Sequence, residues 1–270
     1  MRAKVPIRTV LTMAYGTPKD FAKTTLVRYP EGMNIFKFDS EDAWVREVAA
    51  FWCERLRSQP RLRMCLPSGH TPNPIFAEMG RAVAAGKVSF HEAQIFALDE
   101  FGGLARDDQG RCANMLGRYL LKHIDLPAQQ FHSLAVDEPD LDRVCGEYDR
   151  AIEPGFDLTL LGLGLNGHLG MNEPGSAEDS PTRRVELAKS TIASSGKYLT
   201  HENLPTWGLT VGLKPLLASK EVWLLANGSG KGEIVKRVVR GPIGTDVPAT
   251  LLRKHPNSFL MVDDEAGATL

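Results

Sequence analysis

None of the four cysteines, Cys53, Cys65, Cys112 and Cys145, stands in a C-x-x-C pair. The spacing of a common zinc site is therefore missing, no disulfide frame is suggested, and reduced intracellular thiols are expected. Net charge is missing too: Lys plus Arg total 32 against 33 Asp plus Glu, a formal balance of -1. Without a global field the molecule has nothing to gather nucleic acid or an anionic membrane, so any anion it binds must be held locally. No apolar run approaches the roughly 18 residues of a membrane span. The N-terminus has neither the apolar stretch nor the small-residue cleavage site of a signal peptide, and the cytoplasm is the expected location.

With 43% hydrophobic and 24% charged residues in 270, the chain has an ordinary globular composition and is long enough to bury a sizeable core. Residues 1–32 stand apart. Arg2, Lys4, Arg8, Lys19, Lys23 and Arg28 form a basic preface broken by Gly16, Pro18, Pro30 and Gly32. It reads either as an extension wrapped on the body or a partner subunit, or as a solvated arm.

Residues 33–270 read as a single domain. From Met33 onward, apolar runs of strand length alternate with segments of helical period. "NIFKF" precedes "SEDAWVREVAAFWCERLRS", with Ser40 as N-cap. "RLRMCLPSGHTPNPIFAEMGRAVAAG" repeats the plan and closes at Gly86. "AQIFALDEFGG" is a strand ending in acids, and "GRCANMLGRYLLKHI" is helical. "FDLTLLGLGLNGHLG" is a strand entering a Gly-rich turn, "EVWLLANGSGKGEIVKRVVRG" is strand, turn and helix, and "SFLMVDDEAGATL" closes with a strand. Such alternation predicts an α/β fold, a doubly wound, mostly parallel sheet with helices on both faces. Ligands bind beyond the carboxyl ends of such strands. The turns "PSGHT", "DEFGG", "GLNGHLGMNEPG" and "NGSGK" should therefore converge on one cleft.

Each turn carries chemistry. Ser68, Gly69, His70 and Thr71 join a strand to a helix N-terminus whose free amides suit a phosphate, although an ordinary capped turn has the same composition. This turn has neither a Walker A nor a G-x-G-x-x-G pattern. Lys231 offers a point charge in "NGSGK", and is equally read as a solvated lysine at a helix start. Asp99 and Glu100 end a strand. Two carboxylates at its mouth would repel and raise one pKa towards that of a general base; alternatively one of them caps the next loop. Asn166, His168, Asn172 and Glu173 crowd a Gly-rich turn in which Glu173 can orient an acid/base imidazole.

With these residues in view, the chain resembles the glucosamine-6-phosphate deaminase/isomerase family. "LPSGHTPNPIF", "ALDEFGGLARDDQGRCANMLGRYLLKHIDL", "GLGLNGHLGMNEPGS", "PTRR", "LTVGLKPLLASKEVWLLANGSGK", "DVPATLLRKHPN" and "MVDDEA" occur in the family's order. The related 6-phosphogluconolactonases continue the His168 turn differently.

The resemblance implies a doubly wound α/β fold and a cofactor-free conversion of a 2-amino-2-deoxyhexose 6-phosphate to the ketohexose 6-phosphate and ammonia. It makes His168, supported by Glu173, the ring-opening group and Asp99 the base at C2. Phosphate ligands would be the Ser68–Thr71 turn, Lys231 and Lys197, with Arg183 at a further basic position. The residues themselves agree: a substrate with a dianionic phosphate and a cationic amine wants lysines at one end and carboxylates at the other, and Asp99 and Glu100 supply the latter.

The chain departs from the pattern at Asn166, where glucosamine-specific members have Asp, at His70 for Gly, and at Lys197 for Arg. The form of the His168 turn and the end shortly after "MVDDEAGATL" look closer to the galactosamine-6-phosphate branch. A homo-oligomer is compatible with this reading, and an allosteric hexamer is not assumed. A lactone hydrolase and a non-catalytic sugar-phosphate sensor are the alternatives.

Overall fold

The computed structural model describes residues 25–28, 33–197, 199 and 204–270. The rest of the basic preface 1–32 lies outside the described residues. Eleven strands are described: β1 (Thr25–Arg28), β2 (Asn34–Lys37), β3 (Arg63–Leu66), β4 (Gln94–Ala97), β5 (Asp99–Phe101), β6 (Phe131–His132), β7 (Leu158–Gly162), β8 (Arg183–Glu186), β9 (Trp207–Thr210), β10 (Val222–Ala226) and β11 (Ser258–Val262). Eight form one sheet in the order β1-β2-β11-β10-β7-β3-β4-β6. All its pairings are parallel except that of β1, which runs antiparallel along β2 at the edge.

The α-helices among the described residues are α1 (Glu41–Ser58), α2 (Asn73–Ala84), α3 (Cys112–Tyr119), α4 (Leu141–Ile152), α5 (Lys189–Ser195), α6 (Leu213–Leu217) and α7 (Gly232–Arg240). Ser40 caps α1 by accepting the Ala43 N–H at 3.2 Å. Glu41 and Asp42 sit in the positive first turn, and Trp44, Val48 and Trp52 bury one face at helical spacing. Asp140 caps α4 in the same way, accepting the Arg143 N–H at 2.9 Å.

Successive residues of the central strands enter opposite cores. Met64, Leu160, Trp223 and Leu225 pack with α1 and α2. Cys65, Leu161, Leu224 and Ala226 pack with α4 and α7 on the other face. That two-sided burial is the physical reason the strands read as continuous apolar runs, and the expected doubly wound fold is what forms.

One strand differs from the sequence reading. "AQIFALDEF" is not a single strand: at Leu98 the chain changes sheets. Its N–H still donates to Leu66 O at 2.9 Å, whereas its carbonyl accepts from Val211 N–H at 2.9 Å. Asp99 then opens β5 of a small antiparallel sheet ordered β5-β9-β8.

Candidate active site

Strands β3, β4 and β6 step outward in one direction from the middle of the main sheet, and β7, β10 and β11 step outward in the other. The loops after β3 and β7 therefore diverge and open a crevice at the carboxyl edge, the usual ligand position in such sheets. A cleft of about 540 Å3 lies there, lined by all four turns singled out in the sequence. Its size suits a sugar phosphate. Ser68, Gly69, His70 and Thr71 enter from the β3 turn, Asp99 from beyond β4, Asn166 and His168 from the β7 turn, and Lys231 from the β10 turn. Gly69, at φ 108°, makes the sharp first bend.

The β7 turn is built around the His168 ring. A Cβ on Gly164 would overlap Nε2, Cδ2 and Cε1 of that imidazole, so glycine is what lets the ring lie against the backbone. Gly167 has φ +86°, and a side chain there would strike Val247. Gly162, Gly164 and Gly167 do have the G-x-G-x-x-G spacing of a dinucleotide turn. No helix opens behind it, however; the chain instead closes a small bridge between Leu169 and Asn172. The context that would give that motif its meaning is absent.

Behind the ring, Glu173 Oε2 lies 3.5 Å from His168 Nδ1, and Thr191 Oγ1 lies 3.3 Å from the same nitrogen. Asn166 joins the parts: its Nδ2 donates to Glu173 Oε2 at 2.8 Å, and its Oδ1 accepts the His168 N–H at 3.2 Å. The other Glu173 oxygen accepts Ala188 N–H at 3.2 Å. Burial alone would raise the Glu173 carboxyl. Hydrogen bonds from His168, Thr191 and Asn166, with the charge of His168, outweigh burial and hold it down at about 2. Glu173 is thus a fixed anion behind the imidazole rather than part of the cleft wall.

Asp99 is half-buried where the chain passes between the sheets. Burial, reinforced by the neighbouring Glu100 charge, raises its carboxyl to about 6 against the opposing effects of a hydrogen bond from Cys112 and the nearby His168. Cys112 was not foreseen. It lines the cleft, and burial and then the Asp99 charge push its thiol well above the ordinary range. It therefore stays protonated as a donor.

Two expected ligands turn elsewhere. Glu100 does not line the cleft: it is 1% exposed and accepts the backbone N–H groups of Phe101, Cys112 and Ala113 at 2.9, 2.8 and 3.1 Å, with Arg111 Nε 3.6 Å away. It caps α3. Successive side chains of a strand point to opposite faces, so Asp99 and Glu100 cannot both face one cleft. Arg183 also lies outside the lining; its guanidinium donates to Asn172 Oδ1 at 2.8 Å and Ser176 Oγ at 3.1 Å, bracing the "NEPGS" segment.

The β10 turn is tied to the segment that follows β11. Two of its amides are already taken, Gly228 N–H by Asp263 Oδ2 and Ser229 N–H by Glu265 Oε2, each at 2.9 Å. What this turn offers an anion is chiefly Lys231, whose Nζ donates to Leu163 O at 2.5 Å and whose pKa is lowered by burial and then by the charge of Lys197. Lys197 is exposed at the rim. Helix α5 adds Ser190, Thr191, Ser194 and Ser195 to the wall, a hydroxyl row the sequence reading passed over. Among the described residues no cluster of His, Cys, Asp and Glu could hold a metal ion, and no helix is long and apolar enough to cross a membrane.

Residues 39–261 match the family model of glucosamine-6-phosphate isomerases/6-phosphogluconolactonase. The chain belongs to that family. A glucosamine-6-phosphate deaminase of Rhodopirellula baltica is 38% identical over 246 residues, covering 88% of this chain and 97% of that protein. One from Bacillus pumilus is 34% identical over 239 residues, covering 87% and 99%. Among solved structures, a monomeric glucosamine-6-phosphate deaminase superposes with a TM-score of 0.84 at 27% identity, over 87% of this chain and 99% of that one. The 6-phosphogluconolactonase of Thermotoga maritima, at 18% identity and a TM-score of 0.68, shares the fold of the family.

Proposed function

We propose that the protein is a glucosamine-6-phosphate deaminase, forming fructose 6-phosphate and ammonia without a metal or cofactor, in one catalytic domain spanning residues 33–270. The observation that carries this reading is the pairing, in one cleft, of a carboxyl held near neutrality with an imidazole backed by a fixed anion. Asp99, at about 6, is suited to exchange a carbon-bound proton at neutral pH. Lys231, Lys197, His70 and the Ser68 and Thr71 hydroxyls supply donors for the phosphate, and anchoring it positions the reacting carbons.

His168 takes the proton of the anomeric hydroxyl and returns it to the ring oxygen as the C1–O5 bond breaks. Asp99 removes the C2 proton of the open aldehyde while a proton from the C2 ammonium passes to O1, giving an enolamine, and Asp99 then returns its proton to C1. The resulting C2 iminium takes up water, and ammonia leaves. The curated relatives, named as glucosamine-6-phosphate deaminases, support the gluco substrate. The galacto epimer, favoured by the form of the His168 turn, is the comparison substrate.

The test is incubation of purified protein with glucosamine 6-phosphate, galactosamine 6-phosphate and 6-phosphogluconolactone. Ammonia and ketose phosphate should appear in equal amounts with the first. Turnover of the galacto epimer alone would reverse the substrate assignment, and acid release from the lactone alone would overturn the reaction.

A further inference from the structure

Thr191 lies in the first turn of α5, 8% exposed, and lines the cleft beside His168. Its Oγ1 is closer to His168 Nδ1 than Glu173 is, 3.3 against 3.5 Å. Thr191 Oγ1 is thus the nearer of two oxygens facing Nδ1, and its hydroxyl also helps to hold the Glu173 carboxyl down. The helix is anchored to that same carboxylate: Ala188 N–H donates to Glu173 Oε1 at 3.2 Å, and Thr191 N–H donates to Ala188 O at 2.9 Å. A helical Thr is held largely to two χ1 rotamers, and the one adopted here puts the hydroxyl beside His168 Nδ1.

We propose that Thr191 is a positioning residue for the ring-opening histidine, accepting the His168 Nδ1–H and donating its own proton to Glu173. The relay keeps the proton on Nδ1 and leaves Nε2, the nitrogen lying against Gly164, with its lone pair available to the anomeric hydroxyl. No proton need pass along the relay: it fixes tautomer and orientation while Nε2 moves the proton from O1 to O5. This inference rests on the deaminase reading above.

The test compares the wild type with Thr191→Val, which keeps the shape and loses the hydroxyl, and Thr191→Ser, which keeps the hydroxyl. Long-range proton–nitrogen NMR spectra of the imidazoles at pH 8, with His168→Gln for assignment, should show the Nδ1–H tautomer in wild type and Thr191→Ser. Thr191→Val should show a mixture with Nε2–H. Turnover of glucosamine 6-phosphate should fall about tenfold in Thr191→Val with KM within about twofold, and recover in Thr191→Ser. Binding of the open-chain 2-amino-2-deoxyglucitol 6-phosphate, which has no ring to open, should not change. An unaltered imidazole spectrum in Thr191→Val, or a parallel loss of open-chain binding, overturns the proposal. Should the spectra shift as stated while the wild type converts no amino-sugar phosphate, the relay stands and the deaminase reading falls.

Discussion

Asp99 is costly to the fold because of the property that suits it to catalysis. Its carboxyl titrates near 6 in the folded chain and near its ordinary 3.8 when unfolded. Below about pH 4 both states are protonated and nothing is lost. Between about 4 and 6 the unfolded state releases its proton first, stability falls, and above 6 the deficit is constant, up to about 3 kcal/mol. Asp99→Asn should therefore abolish turnover yet raise Tm by a few degrees at pH 8 and not at pH 4, as read by calorimetry. In the wild type, kcat should climb through about pH 6 as Asp99 ionises. Asn166 gives a second test at this scale. Its amide donates to Glu173 at 2.8 Å, a bond that an ionised Asp cannot make. Asn166→Asp should raise the Glu173 titration from about 2, measurable by carbon NMR of the side-chain carboxyl, and extend the acid-side loss of activity to higher pH.

At the scale of elements, Gly164 separates site from scaffold. Its φ is not among the positive values, so alanine is tolerated by the backbone, but the added methyl displaces the His168 ring. Gly164→Ala should lose about 100-fold in kcat with little change in the denaturation midpoint. Glu100→Ala should do the reverse, costing about 3 to 5 kcal/mol in urea unfolding, because three amides and the Arg111 guanidinium lose a buried anion.

The four strand-turn units were legible because each apolar run is buried on both faces and each turn needs glycine. The β5-β9-β8 sheet was not. Its strands have three or four residues, and β5 finds its partner Thr210 over a hundred positions from Asp99. Of the two readings open for Asp99 and Glu100, the cap is the one Glu100 takes; the alternation of side chains along a strand already argues against placing both in one cleft. The hydroxyls of α5 carry no local pattern that distinguishes a cleft wall from a solvated helix. They become meaningful only once the fold has brought Glu173 beneath them.

For the whole molecule, near-neutrality conceals a separation of charge inside the cleft, with Lys231 and Lys197 toward one part and Asp99, backed by the His168–Glu173 pair, toward another. Inorganic phosphate should bind the cationic part and stabilise the fold by about 2.7 kcal/mol at a hundred times its Kd, seen as a rise in Tm. Lys231→Ala should remove most of that rise and increase KM by about 10- to 100-fold, the loss expected for one charge-assisted contact.

The inner neighbour of β2 is β11, and Asn34 reaches Ser258 across 224 positions of chain. During synthesis, then, β2 emerges about 220 positions ahead of β11 and waits for it. The strands that carry the Ser68, Asp99, His168 and Lys231 turns can pair while the ribosome still holds the end of the chain, but the sheet is sealed on that side only when its final strand arrives. Until then β2 presents an open edge, so chaperone dependence and aggregation of nascent chains should fall abruptly once Val262 has cleared the exit tunnel.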